Sequence, residues 1–185
     1  GHRLSLRDAD VDVAFSGNSF AGSCINVQLA AGTVTAIDPT HGIDICTDTF
    51  QAVEGVWGTD FVDNYDATGF TASSTNAGSA GVNDSGAAFN EFEGAGGNDT
   101  ITGNGNTRVA FYHATSGVVV TLGASGSGVA DGDISVGHDT FVSGVNSVRG
   151  SEFNDIITGN GGNNTLEGQG GNDVLIGNGG NDTMN

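Results

Sequence analysis

The sequence has no lysine, a single proline and no long apolar run. Its four basic side chains, all arginines, stand against 22 Asp and Glu residues, which gives a net charge of −18. A negative charge of this size argues against binding to nucleic acid or to anionic membrane surfaces. No segment approaches the roughly 18 apolar residues of a membrane-spanning helix. One proline beside 33 glycines fits a repetitive β architecture better than collagen or disorder.

A period of nine residues dominates the chain from Asn154 to Asn185. One column of this repeat holds Asp155, Asn164, Asp173 and Asp182. A large apolar residue follows two positions later in each repeat: Ile157, Leu166, Leu175 and Met184. Each repeat leaves only a short strand between glycine-rich turns, with one apolar residue to bury. Such a unit cannot form a core alone, so successive units must stack.

The chemistry of these turns indicates a bound cation. Glycines allow carbonyl oxygens to approach closely, and a carboxylate follows at a fixed offset. A flexible set of oxygen ligands suits calcium better than magnesium. At this point the stretch resembles the RTX family, the calcium-binding nonapeptide repeats G-G-x-G-x-D-x-U-x (U, large apolar) of bacterial type I secreted proteins. A single further copy, GAGGNDTIT, lies at residues 94–102.

The resemblance implies an all-β fold, namely a right-handed parallel β-helix or β-roll in which two nonapeptides form one coil. Calcium ions (Ca²⁺) would lie between turns one coil apart, which pairs the Asp155 turn with the Asp173 turn and the Asn164 turn with the Asp182 turn. Because Asn164 is a neutral amide, its site is expected to be weaker. We predict at least two ions there, with another candidate site at Asp99. The predicted glycine ligands are Gly94, Gly96, Gly97, Gly159, Gly161, Gly162, Gly168, Gly170, Gly171, Gly177, Gly179 and Gly180.

A longer internal repeat divides the chain into two similar units. VEGVWGTDFVD from Val53 aligns with VNSVRGSEFND from Val145. We predict a first unit at 1–106, with an insertion at about 64–89 and one nonapeptide near 94–102. The second unit, 107–185, would end in tandem nonapeptides at 150–185, and both would form one continuous solenoid. The insertion is either an added irregular coil or a surface loop.

Strands with clear alternation precede the nonapeptides in each unit. Ile25, Val27 and Leu29 point to one side, and residues 118–122 are the matching stretch of the second unit. We expect six phenylalanines to pack inside as stacked pairs or ladders: Phe15, Phe111, Phe50, Phe141, Phe61 and Phe153.

The two cysteines, Cys24 and Cys46, are 22 residues apart, which is close to one wide coil. Neighbouring coils lie about 4.8 Å apart, within the Cα range that a disulfide accepts. Two interpretations remain open, an outward disulfide that joins neighbouring coils and two free thiols. Secretion would favour the bond.

The resemblance implies a non-catalytic module that folds on binding calcium after secretion, as a structural part of a larger extracellular or cell-surface bacterial protein. Low cytosolic calcium would leave the acidic chain unfolded, and external calcium would close the roll. Because the chain stops at Asn185 inside a repeat, we expect it to be a fragment. The alternatives are the β-helix portion of a carbohydrate-active enzyme, a lyase or epimerase, and a glycan-binding adhesin segment. No catalytic residue is predicted, and we expect no carboxylate–histidine cluster beside Arg108 and Arg149.

Overall fold

A computed structural model describes residues 2–5, 24–37, 44–76, 81–83 and 85–185. This part is all-β, apart from one 3₁₀ turn at Ala124–Gly126. None of its helical structure is long enough to cross a membrane. The strands are β1 His2–Ser5, β2 Cys24–Gln28, β3 Thr33–Ile37, β4 Asp44–Thr49, β5 Val53–Trp57, β6 Asn64–Asp66, β7 Asn90–Glu93, β8 Thr100–Ala110, β9 Val119–Leu122, β10 Gly128–Asp131, β11 His138–Arg149, β12 Ile156–Thr158, β13 Thr165–Glu167, β14 Val174–Ile176 and β15 Thr183–Met184.

Most strands pair in parallel, in two rows. β6, the first halves of β8 and β11, and the strands β9, β12 and β14 belong to the first row. The second row contains β1, β5 and β7, the second halves of β8 and β11, and then β13 and β15. In the C-terminal strands the offset between partners is 18 residues, as in the pairing of Ile156 with Val174. Two nonapeptides therefore separate equivalent strands.

The sheet is mixed, which differs from the wholly parallel solenoid that we predicted. β3 is antiparallel to both β2 and β4, and β10 is antiparallel to both β9 and β11. Antiparallel neighbours can follow one another directly along the chain, whereas a parallel neighbour needs a long crossover. Gly32 and Gly126, with φ of +68° and +72°, supply the left-handed conformation in two of the connecting turns.

A continuous cluster of buried side chains includes residues from both rows. Tyr65 of β6 stacks on Phe92 of β7 with ring centroids 4.5 Å apart, so the rows are in direct contact. The alternation predicted for β2 is confirmed, because Ile25 and Val27 are fully buried, as is Leu29 just after the strand.

The predicted burial of the phenylalanines is correct for three residues and wrong for two, and the aromatic contacts found among the described residues do not include the predicted Phe–Phe stacking. Phe50, Phe111 and Phe141 are buried, whereas Phe61 and Phe153 are 39% and 45% exposed. Both exposed rings belong to edge turns in which a nearby aspartate, not the phenylalanine, points inward. Phe15 lies outside the described residues.

The described part of the predicted insertion packs against the core. Phe70 and Asn76 are fully buried. The side-chain oxygen of Asn76 accepts the N–H of Val53 at 3.0 Å, and its amide donates to the carbonyl of Val53 at 2.6 Å. The segment around Phe70 therefore contributes to the interior.

Candidate metal centre

Six turns at the ends of the strands share one arrangement, in which a glycine comes first and an Asp or Asn comes sixth. A Cβ atom on the first glycine would collide with a side-chain oxygen of the sixth residue. This contact explains why glycine stands first. The turns are 58–63, 94–99, 150–155, 159–164, 168–173 and 177–182.

The six turns stack as three pairs, each joined by a hydrogen bond from a backbone N–H to a carboxylate. Asp155 donates to Oδ1 of Asp173 at 3.0 Å, and Asn164 donates to Oδ1 of Asp182 at 2.9 Å. These are the turns that the sequence paired. Asp63 donates in the same way to Oδ1 of Asp99 at 2.8 Å, so turn 58–63 is the neighbour of turn 94–99.

The predicted glycines occupy distinct positions in these turns. Gly94, Gly159, Gly168 and Gly177 come first. The fourth glycines, with φ between +102° and +118°, lie against the backbone of the paired turn, where a Cβ atom would collide: Gly97, Gly171 and Gly180. The third position is glycine in four turns, at Gly96, Gly161, Gly170 and Gly179, and Gly162 is fourth in its turn.

In two turns the second residue caps the aspartate, and we call these the capped turns. The N–H of Thr59 donates to Oδ2 of Asp63 at 2.7 Å, and its hydroxyl donates to Oδ1 at 2.9 Å. Ser151 makes the same two bonds to Asp155, each at 2.7 Å. Asp63 and Asp155 are only 1% exposed, so water cannot reach their carboxylates. Each carboxylate oxygen instead accepts at least one hydrogen bond from the protein.

Turn 159–164 is closed in a similar way by amides. The N–H of Asn160 donates to Oδ1 of Asn164 at 2.8 Å. The side-chain amide of Asn164 in turn donates to the carbonyl of Asn146 at 3.3 Å. This turn therefore presents no negative charge of its own.

In the other three turns no such cap is found among the described residues, and we call them the open turns. Their second residues adopt the left-handed conformation, with φ of +66° at Ala95, +69° at Gln169 and +65° at Asn178. Asp99 is 1% exposed, and its Oδ2 is buried without a hydrogen-bond partner among the described residues. For Asp173 and Asp182, the bonds found in the described part reach only Oδ1.

Asp99 lies between two further buried aspartates. Its Oδ1 accepts the N–H of Asp63, and its own N–H donates to Oδ1 of Asp139 at 3.0 Å. Burial raises the pKa of Asp99 far above the usual range, and the charges of Asp139 and Asp63 raise it further. Burial also raises the pKa of Asp139, and it raises the pKa of Asp63 to about 7. Without a cation, ionising this column is unfavourable.

This donor set fits a hard cation. It offers carboxylate and carbonyl oxygens, an unpartnered buried oxygen on Asp99, and a glycine in each turn that leaves room beside the carboxylate. Among the described residues, no three His, Cys, Asp or Glu side chains are grouped to hold a metal by themselves. Backbone carbonyls would therefore have to complete the coordination.

Four residues in or beside these turns were not predicted from the sequence: Asp63, Asp139, Thr59 and Ser151. The alignment of VEGVWGTDFVD with VNSVRGSEFND already placed Asp63 opposite Asp155 and Thr59 opposite Ser151. That signal was available from the internal repeat. Asp139 carries no nonapeptide pattern, so only the folded chain places it beside Asp99.

The sequence predicted no carboxylate–histidine cluster beside Arg108 and Arg149, but the structure places two glutamates against them. Arg108 pairs with Glu91, and with Glu167 at 3.1 Å. Arg149 pairs with Glu167 at 2.8 Å and with Glu91 at 3.5 Å. Nearby, the ring of His113 stacks on Trp57 with centroids 3.9 Å apart, and its Nδ1 lies 3.0 Å from Glu93.

The two cysteines lie on strands that are not neighbours. Cys24 is a free thiol on β2, and Cys46 lies on β4, with β3 paired between them. Two strand spacings amount to about 9.6 Å, which exceeds the Cα separation of a disulfide. The neighbouring-coil arrangement on which the predicted disulfide depended is therefore not the one that the structure has.

Comparison with known proteins identifies the nonapeptides. The sequence model of the RTX calcium-binding nonapeptide repeat matches residues 84–107 and 149–184, in four copies. A search of curated proteins and a search of solved structures each found no match. RTX nonapeptide repeats bind calcium, and the matched residues include all three open turns.

Proposed function

Because the chain carries RTX calcium-binding nonapeptide repeats, we propose that it is a structural, calcium-binding module of a larger extracellular bacterial protein. In this proposal the turns close into a right-handed parallel β-roll when calcium binds after secretion. Support for the roll comes from the parallel pairing of the C-terminal strands at an offset of 18 residues.

The single observation that carries this proposal is the carboxylate of Asp99. A buried carboxylate oxygen without a partner is strongly unfavourable unless it is protonated or meets a cation. Asp99 combines this oxygen with 1% exposure and with two buried aspartates bonded to its backbone and side chain. A divalent cation would remove the unfavourable charge.

Three carboxylates are the ligands that we assign to calcium, those of Asp99, Asp173 and Asp182. Each belongs to an open turn, and each lies beside the first glycine of its own turn. Carbonyl oxygens from the stacked turns would complete the shell, as calcium sites generally require several oxygen ligands. Bound calcium would supply the positive charge that a chain of net charge −18 lacks.

Calcium binding and folding are coupled in this proposal. Self-repulsion at −18 opposes compaction of the metal-free chain. Because the ligands of each site come from two stacked turns, 18 or 36 residues apart, the sites exist only in the folded state, so binding energy becomes folding energy. RTX proteins are typically secreted by bacteria, and a chain kept unfolded by low cytosolic calcium would suit export.

A calcium titration followed by far-UV circular dichroism tests this function. We expect β-structure to increase with calcium and not with magnesium. The variant Asp99→Asn should need at least tenfold more calcium, because it loses a buried charged ligand. Glu152→Gln, which changes an exposed carboxylate in a capped turn, is the matched control and should titrate like the wild type. A spectrum that is already β-rich in chelator and indifferent to calcium would refute the proposal.

Glycan binding is the second candidate, and one observation favours it. Trp57 stacks on His113, and Tyr112, which is 48% exposed, contacts the same histidine edge-on. Aromatic rings of this kind offer an amphipathic contact surface. The RTX repeat family is structural rather than catalytic, and the glutamates beside Arg108 and Arg149 are already ion-paired, so enzymatic turnover has no support here.

A further inference from the structure

We infer that Thr59 and Ser151 take the place of calcium at Asp63 and Asp155, so that the capped turns hold their carboxylates without metal. This inference rests on the proposed calcium-binding function. It changes the expected ligands, because Asp155 stands in the nonapeptide column yet would bind no ion. The consequence is that the residue in the second position of each turn decides whether calcium is needed.

The hydrogen bonds of the capped turns carry this inference. In both turns one residue gives two donors to the aspartate four positions later, an N–H to Oδ2 and a hydroxyl to Oδ1. A third donor reaches Oδ1 from a distant part of the chain, the N–H of Ile25 for Asp63 and that of Val118, just before β9, for Asp155. Three donors favour the charged form of a buried carboxylate and so reduce its need for a metal ion.

The open turns show what happens when these donors are absent. Ala95 has no hydroxyl, and its left-handed backbone directs no hydrogen bond to Asp99 within the described residues. The carboxylate of Asp99 retains one donor, the N–H of Asp63, at Oδ1. Its Oδ2 has no hydrogen-bond partner among the described residues. Gln169 and Asn178 share the left-handed φ of Ala95. The two kinds of turn thus differ in backbone conformation as well as in side chain.

The capped turns and the open turns are stacked on one another, which suggests how the two kinds of turn work together. Turn 94–99 lies on the capped turn 58–63, and turn 168–173 lies on the capped turn 150–155. In each pair the backbone N–H of the capped aspartate binds the open aspartate. A metal-independent turn therefore presents a preformed donor to the turn that needs calcium.

Counting the bound calcium ions in the full chain, by native mass spectrometry at saturating calcium, tests the inference. Asp173→Asn should bind one ion fewer than the wild type, whereas Asp155→Asn should bind as many as the wild type. Loss of one ion from Asp155→Asn would overturn the inference. If the wild type binds no calcium, the proposed function itself fails, which is a different result.

A second variant keeps the test decisive if Asp155→Asn does not fold. Ser151→Ala removes the hydroxyl donor and keeps the carboxylate. We expect the variant to bind as many calcium ions as the wild type. Its unfolding temperature should be lower than that of the wild type by the same amount at every calcium concentration. A deficit that shrinks as calcium rises would show that calcium binds at Asp155 and would overturn the inference. Ser151→Thr, which restores the donor pair found at Thr59, should match the wild type in both measurements.

Discussion

The C-terminal nonapeptides and the central strands bury very different amounts of apolar surface. In the C-terminal stack, Ile157 and Leu166 are fully buried, whereas Met184 is 51% exposed. The central part, between β5 and β11, buries whole aromatic side chains, among them Phe92 and Phe141. One chain therefore combines an aromatic-rich core with a C-terminal stack that adds only a few buried apolar side chains to it.

The magnitudes explain why the C-terminal stack needs another source of stability. Burying one leucine side chain contributes about 1.5–3 kcal/mol. Fixing the backbone costs roughly 1–2 kcal/mol for each residue. About one buried apolar residue in nine cannot offset that cost, even with the hydrogen bonds of the short strands. Metal coordination in the open turns is the remaining candidate, whereas the central strands have their own core.

The largest expected effect is therefore a regional response to calcium removal. We expect chelator to abolish amide protection in strands β12 to β15, measured by hydrogen–deuterium exchange with mass spectrometry. Peptides that cover β8 and β11 should lose less protection, because Ile101 and Phe141 remain packed there.

Magnesium added in place of calcium is the control and should not restore protection to the C-terminal strands. An equal loss of protection in both regions would contradict the comparison. It would mean that the central core depends on calcium at the Asp99 turn as strongly as the C-terminal stack depends on its own turns, and that the two regions unfold together.

The C-terminal stack could be predicted from the sequence because its contacts join residues at a short, regular spacing. Each turn needs glycine at its first position, and the period of nine places Asp173 one coil after Asp155. The all-β fold followed from the same repeat. None of this required knowledge of distant contacts.

The central part was harder to predict because its contacts are distant in sequence. Nothing local distinguishes the antiparallel β3 or β10 from one more parallel coil, since alternation is the same in both. Asp139 reaches Asp99 across 40 residues. Phe61 and Phe153 correspond in the internal repeat, which predicts a stacked pair inside a solenoid, but the edge turns bury the aspartate two positions later instead.

Replacing a core aromatic residue should have the next largest effect. Phe141→Ala removes a side chain that is 2% exposed, so we expect a loss of about 3–5 kcal/mol in the free energy of unfolding. Urea denaturation at saturating calcium measures this loss. Phe153→Ala, at a ring that is 45% exposed, is the matched control and should cost less than about 1 kcal/mol. Equal losses would mean that the edge turns are packed as tightly as the core.

The smallest predicted effect concerns the ion pairs that connect the two regions. Arg108 of β8 binds Glu91 of β7 and Glu167 of β13, so the network joins the central strands to the first nonapeptides. Because these side chains are 10–17% exposed, solvent screens them only in part, and we expect Arg108→Ala to cost about 1 kcal/mol.

Urea denaturation at low and high salt measures this contribution, which should shrink as salt rises. Arg149→Ala is the matched variant. Arg149 is 28% exposed and pairs with the same two glutamates, so its loss should be smaller. The double variant should lose more than the sum of the single variants, because each single variant leaves Glu167 one arginine partner and the double variant removes both. Strict additivity would show that the two arginines act independently, and that the network does not couple the calcium-binding stack to the core.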